Sequence, residues 1–179
     1  MRLLLAFGNH ARQGKDQAAT AIMTYFNSLY PQFPEAKILK FAEAVYQECR
    51  RDHGMLEKNS PLLQHVGLVR RKKDPLYWIN KLRSTIGDFK GVGLITDLRY
   101  ENEAYWVKSS GGFLINVMRL NEDGTPFVAP DRDPKHISET ALDNCLWDAY
   151  IKTYTGQEAL AAEQAITVAN YFFQITKEI

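Results

Sequence analysis

Cysteine is scarce in this chain: two residues among 179, Cys49 and Cys145. They lie far apart and in no metal-ligand spacing. Reduced thiols are therefore expected, rather than a disulfide framework or a zinc site. No apolar run approaches the roughly 20 residues that a membrane-spanning helix needs. The apolar start, residues 1–7, lacks the length and cleavage pattern of a signal peptide. An excess of one charge is also lacking. A net charge of +1 gives no strong field for nucleic acid or a membrane surface. There is no internal repeat and no low-complexity segment. These absences lead us to expect a cytoplasmic protein with neither a nucleic-acid nor a membrane partner. Any phosphate chemistry must come from local basic clusters.

What is present suits one domain over residues 1–179. A hydrophobic fraction of 45% and a charged fraction of 24% are those of an ordinary globular chain with a full core. Residues 3–7 form a short continuous apolar run, as in a strand buried on both faces. A loop follows over residues 8–14. Ala18, Ala19, Ile22, Met23 and Phe26 then recur at helical spacing, and Pro31 should end that helix. Residues 37–41 read as a second strand and 42–51 as a helix. Residues 52–73 are polar and basic with an apolar patch at 61–66. Asp74 and Pro75 look like a helix N-cap and first position, with Ile79, Leu82 and Ile86 on one face.

Residues 91–96 read as a third strand ending at Asp97, and 101–108 as a helix closed by Gly111 and Gly112. Residues 113–117 read as a fourth strand, 121–135 as a mobile loop and 149–154 as a fifth strand. Residues 157–175 read as a helix with a stripe at Ala161, Ala165, Val168, Ala169 and Phe172. That stripe could pack in the core or at a homodimer interface. Strands alternating with helices predict an α/β fold, a mostly parallel five-stranded sheet covered on both faces. Ligands of such sheets bind beyond the carboxyl ends of the strands. Residues 8–15, Asp97, Arg99 and Arg119 are thereby predicted to share one rim.

The loop reads Gly8-Asn9-His10-Ala11-Arg12-Gln13-Gly14-Lys15-Asp16. The common phosphate-binding pattern is G-x-x-x-x-G-K-[ST]. Counted back from Gly14 and Lys15, Asn9 stands at the first glycine position. Asparagine tolerates left-handed backbone, so the loop can still turn there. Asp16 replaces the usual Ser or Thr and could reach Mg²⁺ through water or cap the helix. Loop amides and the helix N-terminus can cradle phosphate oxygens, and Lys15 can neutralise a transferred phosphoryl group. A strand-to-helix turn with a surface lysine is the bland alternative.

Asp97 lies where a magnesium-binding carboxylate belongs, or it caps the next helix. Arg99 is a candidate phosphate ligand or an exposed arginine. The run Arg70-Arg71-Lys72-Lys73 could close over an anionic substrate or be a solvated face. Ser138 could cap a helix running to Leu142, or His136 and Glu139 could face a ligand. Tyr77, Trp78 and Tyr100 could stack on a base, although aromatic residues beside an apolar stripe are more often core.

In order and spacing these residues resemble the deoxynucleoside monophosphate kinases of the phage type, over about residues 3–160. The shared motifs are Ala11-Arg12-Gln13-Gly14-Lys15-Asp16, Leu62-Leu63-Gln64-His65-Val66-Gly67 followed by arginine, and Asp74-Pro75-Leu76-Tyr77-Trp78. Next come Thr96-Asp97-Leu98-Arg99-Tyr100 with Asn102-Glu103-Ala104, then Gly111-Gly112 leading to Arg119, and His136-Ile137-Ser138-Glu139. The family commonly carries Thr where this chain has Gln17.

The resemblance implies a P-loop kinase fold, ATP and Mg²⁺ as cofactors, and phosphoryl transfer from ATP to a deoxynucleoside monophosphate. It implies ATP contacts from Asn9, Ala11, Arg12, Gln13, Gly14, Lys15, Asp16 and Gln17, with Asp16 and Asp97 at the metal. Lys15, Arg70, Arg99 and Asp97 would be catalytic. Arg70 or Arg71, Trp78, Arg99, Glu103, His136 and Glu139 would meet the substrate. Residues 52–73 would be a lid or substrate-binding insertion. Three other readings stay open: a P-loop kinase for another small phosphorylated metabolite, a nucleotide-binding switch or ATPase without an acceptor, and a non-catalytic interaction domain that binds no ATP.

Overall fold

A computed structural model describes residues 2–29, 35–131 and 133–177. Along the chain run β1 (Leu3–Gly8), α1 (Lys15–Leu29), β2 (Ala36–Leu39), α2 (Phe41–His53), α3 (Ser60–Lys73) and α4 (Tyr77–Ile86). Then follow β3 (Val92–Ile95), α5 (Glu101–Ser109), β4 (Phe113–Leu120), α6 (Ile137–Thr140), β5 (Ala149–Tyr154) and α7 (Glu158–Lys177). Pro31, expected to end the first helix, lies outside the described residues. The chain divides into two compact units, Met1–Leu39 with Lys90–Ile179, and Lys40–Phe89.

The first unit is α/β. Its five strands are all parallel, in the order β2-β3-β1-β4-β5. β1 is buried at every residue because it runs between β3 and β4, pairing Leu3 with Val92 and Gly8 with Asn116. Its side chains alternate between the faces, as a strand requires. Leu3, Leu5 and Phe7 join Ala18, Ala19, Ile22 and Phe26 of α1 and Ala165, Ala169, Phe172 and Phe173 of α7 in one core. Phe26 meets Phe173 edge-on at 5.1 Å, and Phe113 stacks on Phe172 at 4.0 Å. Of the expected stripe, Ala165, Ala169 and Phe172 pack within this core and Val168 packs against it. Leu4 faces the other way, against Gly112, which also lies beside Val107 of α5. Helices thus cover both faces.

The second unit is helical. α2, α3 and α4 enclose Val45, Cys49, Met55, Val66 and Trp78. α2 stops at Gly54, whose φ of 62° turns the chain left-handed while the N–H of Met55 returns to the carbonyl of Cys49. Asn59 caps α3 by accepting from the amide of Leu62 at 3.0 Å. Residues 52–73 thus hold the end of α2 and the whole of α3, a helix that its weak apolar stripe did not announce. The basic run is the last turn of α3, where cations favour the negative end of the helix dipole. α4 starts at Tyr77, so Asp74 and Pro75 belong to the preceding turn, in which Asp74 accepts from the amide of Leu76 at 2.8 Å. Among the described residues no helix is long and apolar enough to cross a membrane, and Cys49 and Cys145 are both free thiols.

Candidate active site

The loop between β1 and α1 leaves the carboxyl end of the central strand. Gly8 ends β1 beneath a ring. A Cβ built there would lie 2.4 Å from Cη2 of Trp147 and 3.2 Å from Cδ2 of Leu98. Asn9 then takes the left-handed turn with φ 86°, and its amide donates to the side-chain oxygen of Asn116 on β4 at 2.9 Å. Arg12 (φ 58°) and Gly14 (φ 94°) are left-handed as well. The expected turn at Asn9 is present. Gly8 answers a different need, close packing.

Gln13 is buried and fastens the loop to the next strand. Its Nε2 donates to the carbonyl of Phe127 at 2.8 Å, and its Oε1 accepts from the amide of Arg119 at 2.5 Å. Arg12 is exposed and pairs with Asp131 at 2.7 Å. Gln17 stands on the first turn of α1, its Oε1 lying 3.4 Å from the Cβ position of Gly14.

Lys15 is buried at the head of α1. Its Nζ donates to the carbonyl of Asn9 at 3.3 Å and to that of His10. Burial, and then the Arg99 guanidinium, push its ammonium down to about 7, while Glu139, Asp16 and Asp97 oppose the shift. One lysine thus lies in the field of four predicted site residues. Asp16 is oriented by the hydroxyl of Thr96, which donates to its Oδ1 at 2.8 Å. Asp97 is not a helix cap, because the N-cap of α5 is Tyr100.

Arg99 reaches under the loop. Its Nη1 donates to the carbonyl of Asn9 at 3.1 Å, to that of Ser138 at 3.3 Å, and to Oε1 of Glu139 at 3.1 Å. The other oxygen of Glu139 accepts the amide of Ala11 at 2.7 Å. His10 Nδ1 stands 4.0 Å from the same carboxylate. Arg119 adds a further cation beside the loop. Its guanidinium lies over the ring of Phe127 at 3.4 Å, and its buried Nε has no hydrogen-bond partner among the described residues.

Three residues assigned to the substrate have partners within the protein. Glu103 is 1% exposed, and its Oε2 accepts the amides of Arg99 at 2.9 Å and Tyr100 at 3.2 Å. It closes the first turn of α5. His136 caps α6, its Nδ1 accepting the amide of Ser138 at 3.2 Å, so Ser138 is not the cap. Trp78 is 1% exposed in the core of the helical unit, where its indole N–H donates to the carbonyl of Gly67 at 3.0 Å. No face of it is open to a base.

Arg70 and Arg71 also belong to the helical unit. Arg71 donates to the carbonyl of Gly67 at 3.4 Å, one turn back in its own helix. Arg70 pairs through Nε with Oε1 of Glu48, whose Oε2 accepts the hydroxyl of Tyr77 at 2.7 Å. Glu48 and Asn116 went unread in the sequence, and Thr96 was read only as part of a motif. The signal for Glu48 was an acid at an apolar-register position of α2, beside Val45 and Cys49.

Among the described residues no group of three or more His, Cys, Asp or Glu could hold a metal ion. Asp16 and Asp97, both within the field of Lys15, fit Mg²⁺ of the kind held by one or two carboxylates, water and substrate phosphates. Comparison of the chain with protein-family models and with curated proteins returns no match.

Proposed function

We propose that this chain is a P-loop kinase that transfers the γ-phosphoryl group of ATP to a deoxynucleoside monophosphate. One observation carries the reading. A left-handed loop at the carboxyl end of the central parallel strand feeds a helix whose first residue is a buried lysine, with Arg99, Asp16 and Asp97 around it. Phosphate oxygens are what such a place accommodates, because backbone amides, the helix terminus and a cation all favour anions there.

Lys15 would leave the loop carbonyls for the β- and γ-phosphates. Asp16 and Asp97 would hold Mg²⁺, which supplies charge neutralisation across those phosphates when bound. Arg99, braced by Glu139, would keep the loop in its binding shape. The acceptor already carries an anionic phosphate, so no strong general base is required. Positioning and charge neutralisation suffice, and Arg70 offers the acceptor phosphate a planar, two-toothed partner.

The burial of Trp78 gives some weight to the neighbouring reading, a kinase for another small phosphorylated metabolite, since it removes one base-stacking candidate. The deciding experiment is ADP release with ATP and Mg²⁺ across common ribo- and deoxyribonucleoside monophosphates and other phosphorylated metabolites. The expected result is ADP release that depends on a deoxynucleoside monophosphate. ADP release without any acceptor, or none with any acceptor, would sink the proposal.

A further inference from the structure

The helical unit contains a carboxylate that its own packing does not require. Glu48 is 2% exposed on the face of α2 that also buries Val45 and Cys49. A buried carboxylate is unfavourable unless it is paired, and an apolar side chain of similar size usually serves stability as well or better. Glu48 is paired on both oxygens, to Arg70 Nε through one and to the hydroxyl of Tyr77 through the other. The guanidinium carbon of Arg70 also lies over the Tyr77 ring, 5.4 Å from its centroid. The three side chains, from α2, α3 and α4, fix one another.

The geometry of the guanidinium gives this arrangement its meaning. Glu48 takes the Nε corner of the fork. Nη1 and Nη2 make no hydrogen bond among the described residues, and the Arg70 side chain is 38% exposed. That edge of the fork matches two oxygens of a phosphate. The neighbouring cations Arg71, Lys72 and Lys73 are explained by the negative end of α3. Of the four, Arg70 is the one that pairs with the buried Glu48.

We propose that Glu48 is a positioning residue that locks Arg70 and Tyr77 into a preformed receptor for the phosphate of the acceptor, a phosphate monoester. This rests on the kinase reading above. It also selects Arg70, rather than Arg71, as the acceptor cation. Preorganisation of this kind lowers the ordering cost of binding and acts on the acceptor, not on ATP.

The test compares wild type, Glu48→Gln and Glu48→Asp by steady-state kinetics with the best acceptor from the panel, varying acceptor and ATP separately. Glu48→Gln removes the charge with little change of shape. It should raise the acceptor KM about 10- to 100-fold, the range of one charged hydrogen bond, and leave the ATP KM within about twofold. Glu48→Asp keeps the charge but is too short to span both partners, so the acceptor KM should rise severalfold. That variant carries the test if Glu48→Gln does not fold. In an Arg70→Lys background, which has already lost the fork, Glu48→Gln should add less than about twofold. An acceptor KM unmoved in both Glu48 variants, or an ATP KM that rises in parallel, overturns the inference while the wild-type kinase reading stands. A wild type that phosphorylates no acceptor overturns the kinase reading and this inference with it.

Discussion

Glu139 ties Arg99 to the loop between β1 and α1. One carboxylate oxygen lies 3.1 Å from Arg99 Nη1 and the other accepts the amide of Ala11 at 2.7 Å. A buried acid inside the proposed anion site is unfavourable for anion binding unless it holds the cation and loop in shape. Glu139→Gln should therefore lower stability by about 1–3 kcal/mol, the usual range for a weakened charged hydrogen bond, and raise the ATP KM. Urea unfolding and ATP titration check the two effects. A stable variant with unchanged ATP binding would show that the bracket is idle.

Lys15→Ala should leave the circular-dichroism spectrum and the melting temperature near those of wild type, since it removes a buried cation. Its kcat/KM for phosphoryl transfer should fall by about 100- to 1,000-fold or more, as expected for loss of a charge-stabilising group. Near-normal turnover would exclude Lys15 from the chemistry.

The same lysine sets a pH dependence. Its native value, pushed down to about 7 by burial and then by Arg99, means that the free protein loses this cation as pH rises through neutrality. Below that point the ammonium is present and attracts phosphate. Above it, ATP binding must recruit a proton. ATP affinity should weaken from pH 7 to 8.5. Calorimetry at pH 8 in two buffers of different ionisation enthalpy should show net proton uptake, absent in Lys15→Ala.

Gly8→Ala tests the close packing beneath Trp147. The added methyl would meet the indole at 2.4 Å, so the ring must shift, at about 1–3 kcal/mol. That should appear as a melting temperature lower by several degrees. The same substitution in a Trp147→Leu background should cost much less, because the obstacle has gone. Equal losses in both backgrounds would refute the steric explanation.

Trp78→Phe keeps an aromatic ring but shrinks the side chain and removes the indole N–H bonded to Gly67. A loss of about 1–3 kcal/mol in urea unfolding is expected, with the acceptor KM unchanged. A specific rise in that KM would return Trp78 to the substrate site.

The fold was largely legible in the sequence because strands buried on both faces write themselves as continuous apolar runs. Residues 3–7 and 91–96 locate β1 and β3 to within a residue or two, and β5 falls at 149–154 as read. α3 was missed because only Val66 and Gly67 are buried along it, too little to make a stripe. The rim was legible too, since parallel strands bring their carboxyl ends together. Lys15, Asp16, Asp97 and Arg99 meet for that reason.

What sequence spacing did not convey was which polar side chains the protein uses on itself. Glu103 and His136 look like ligand residues in one dimension, yet each satisfies a helix terminus. Glu48 drew no reading in the sequence, and only the packing of three helices shows what it holds.

Two requirements that a single glycine often meets are divided here between neighbours. Gly8 leaves room for a ring, and Asn9 supplies the left-handed turn. The two positions should therefore drift under separate rules. Asn9 can exchange with glycine, whereas Gly8 can grow only if position 147 shrinks. Across relatives of this chain, sites 8 and 147 should change as a pair. A search that scores backbone shape would recover such loops where one that counts letters between two glycines passes over them.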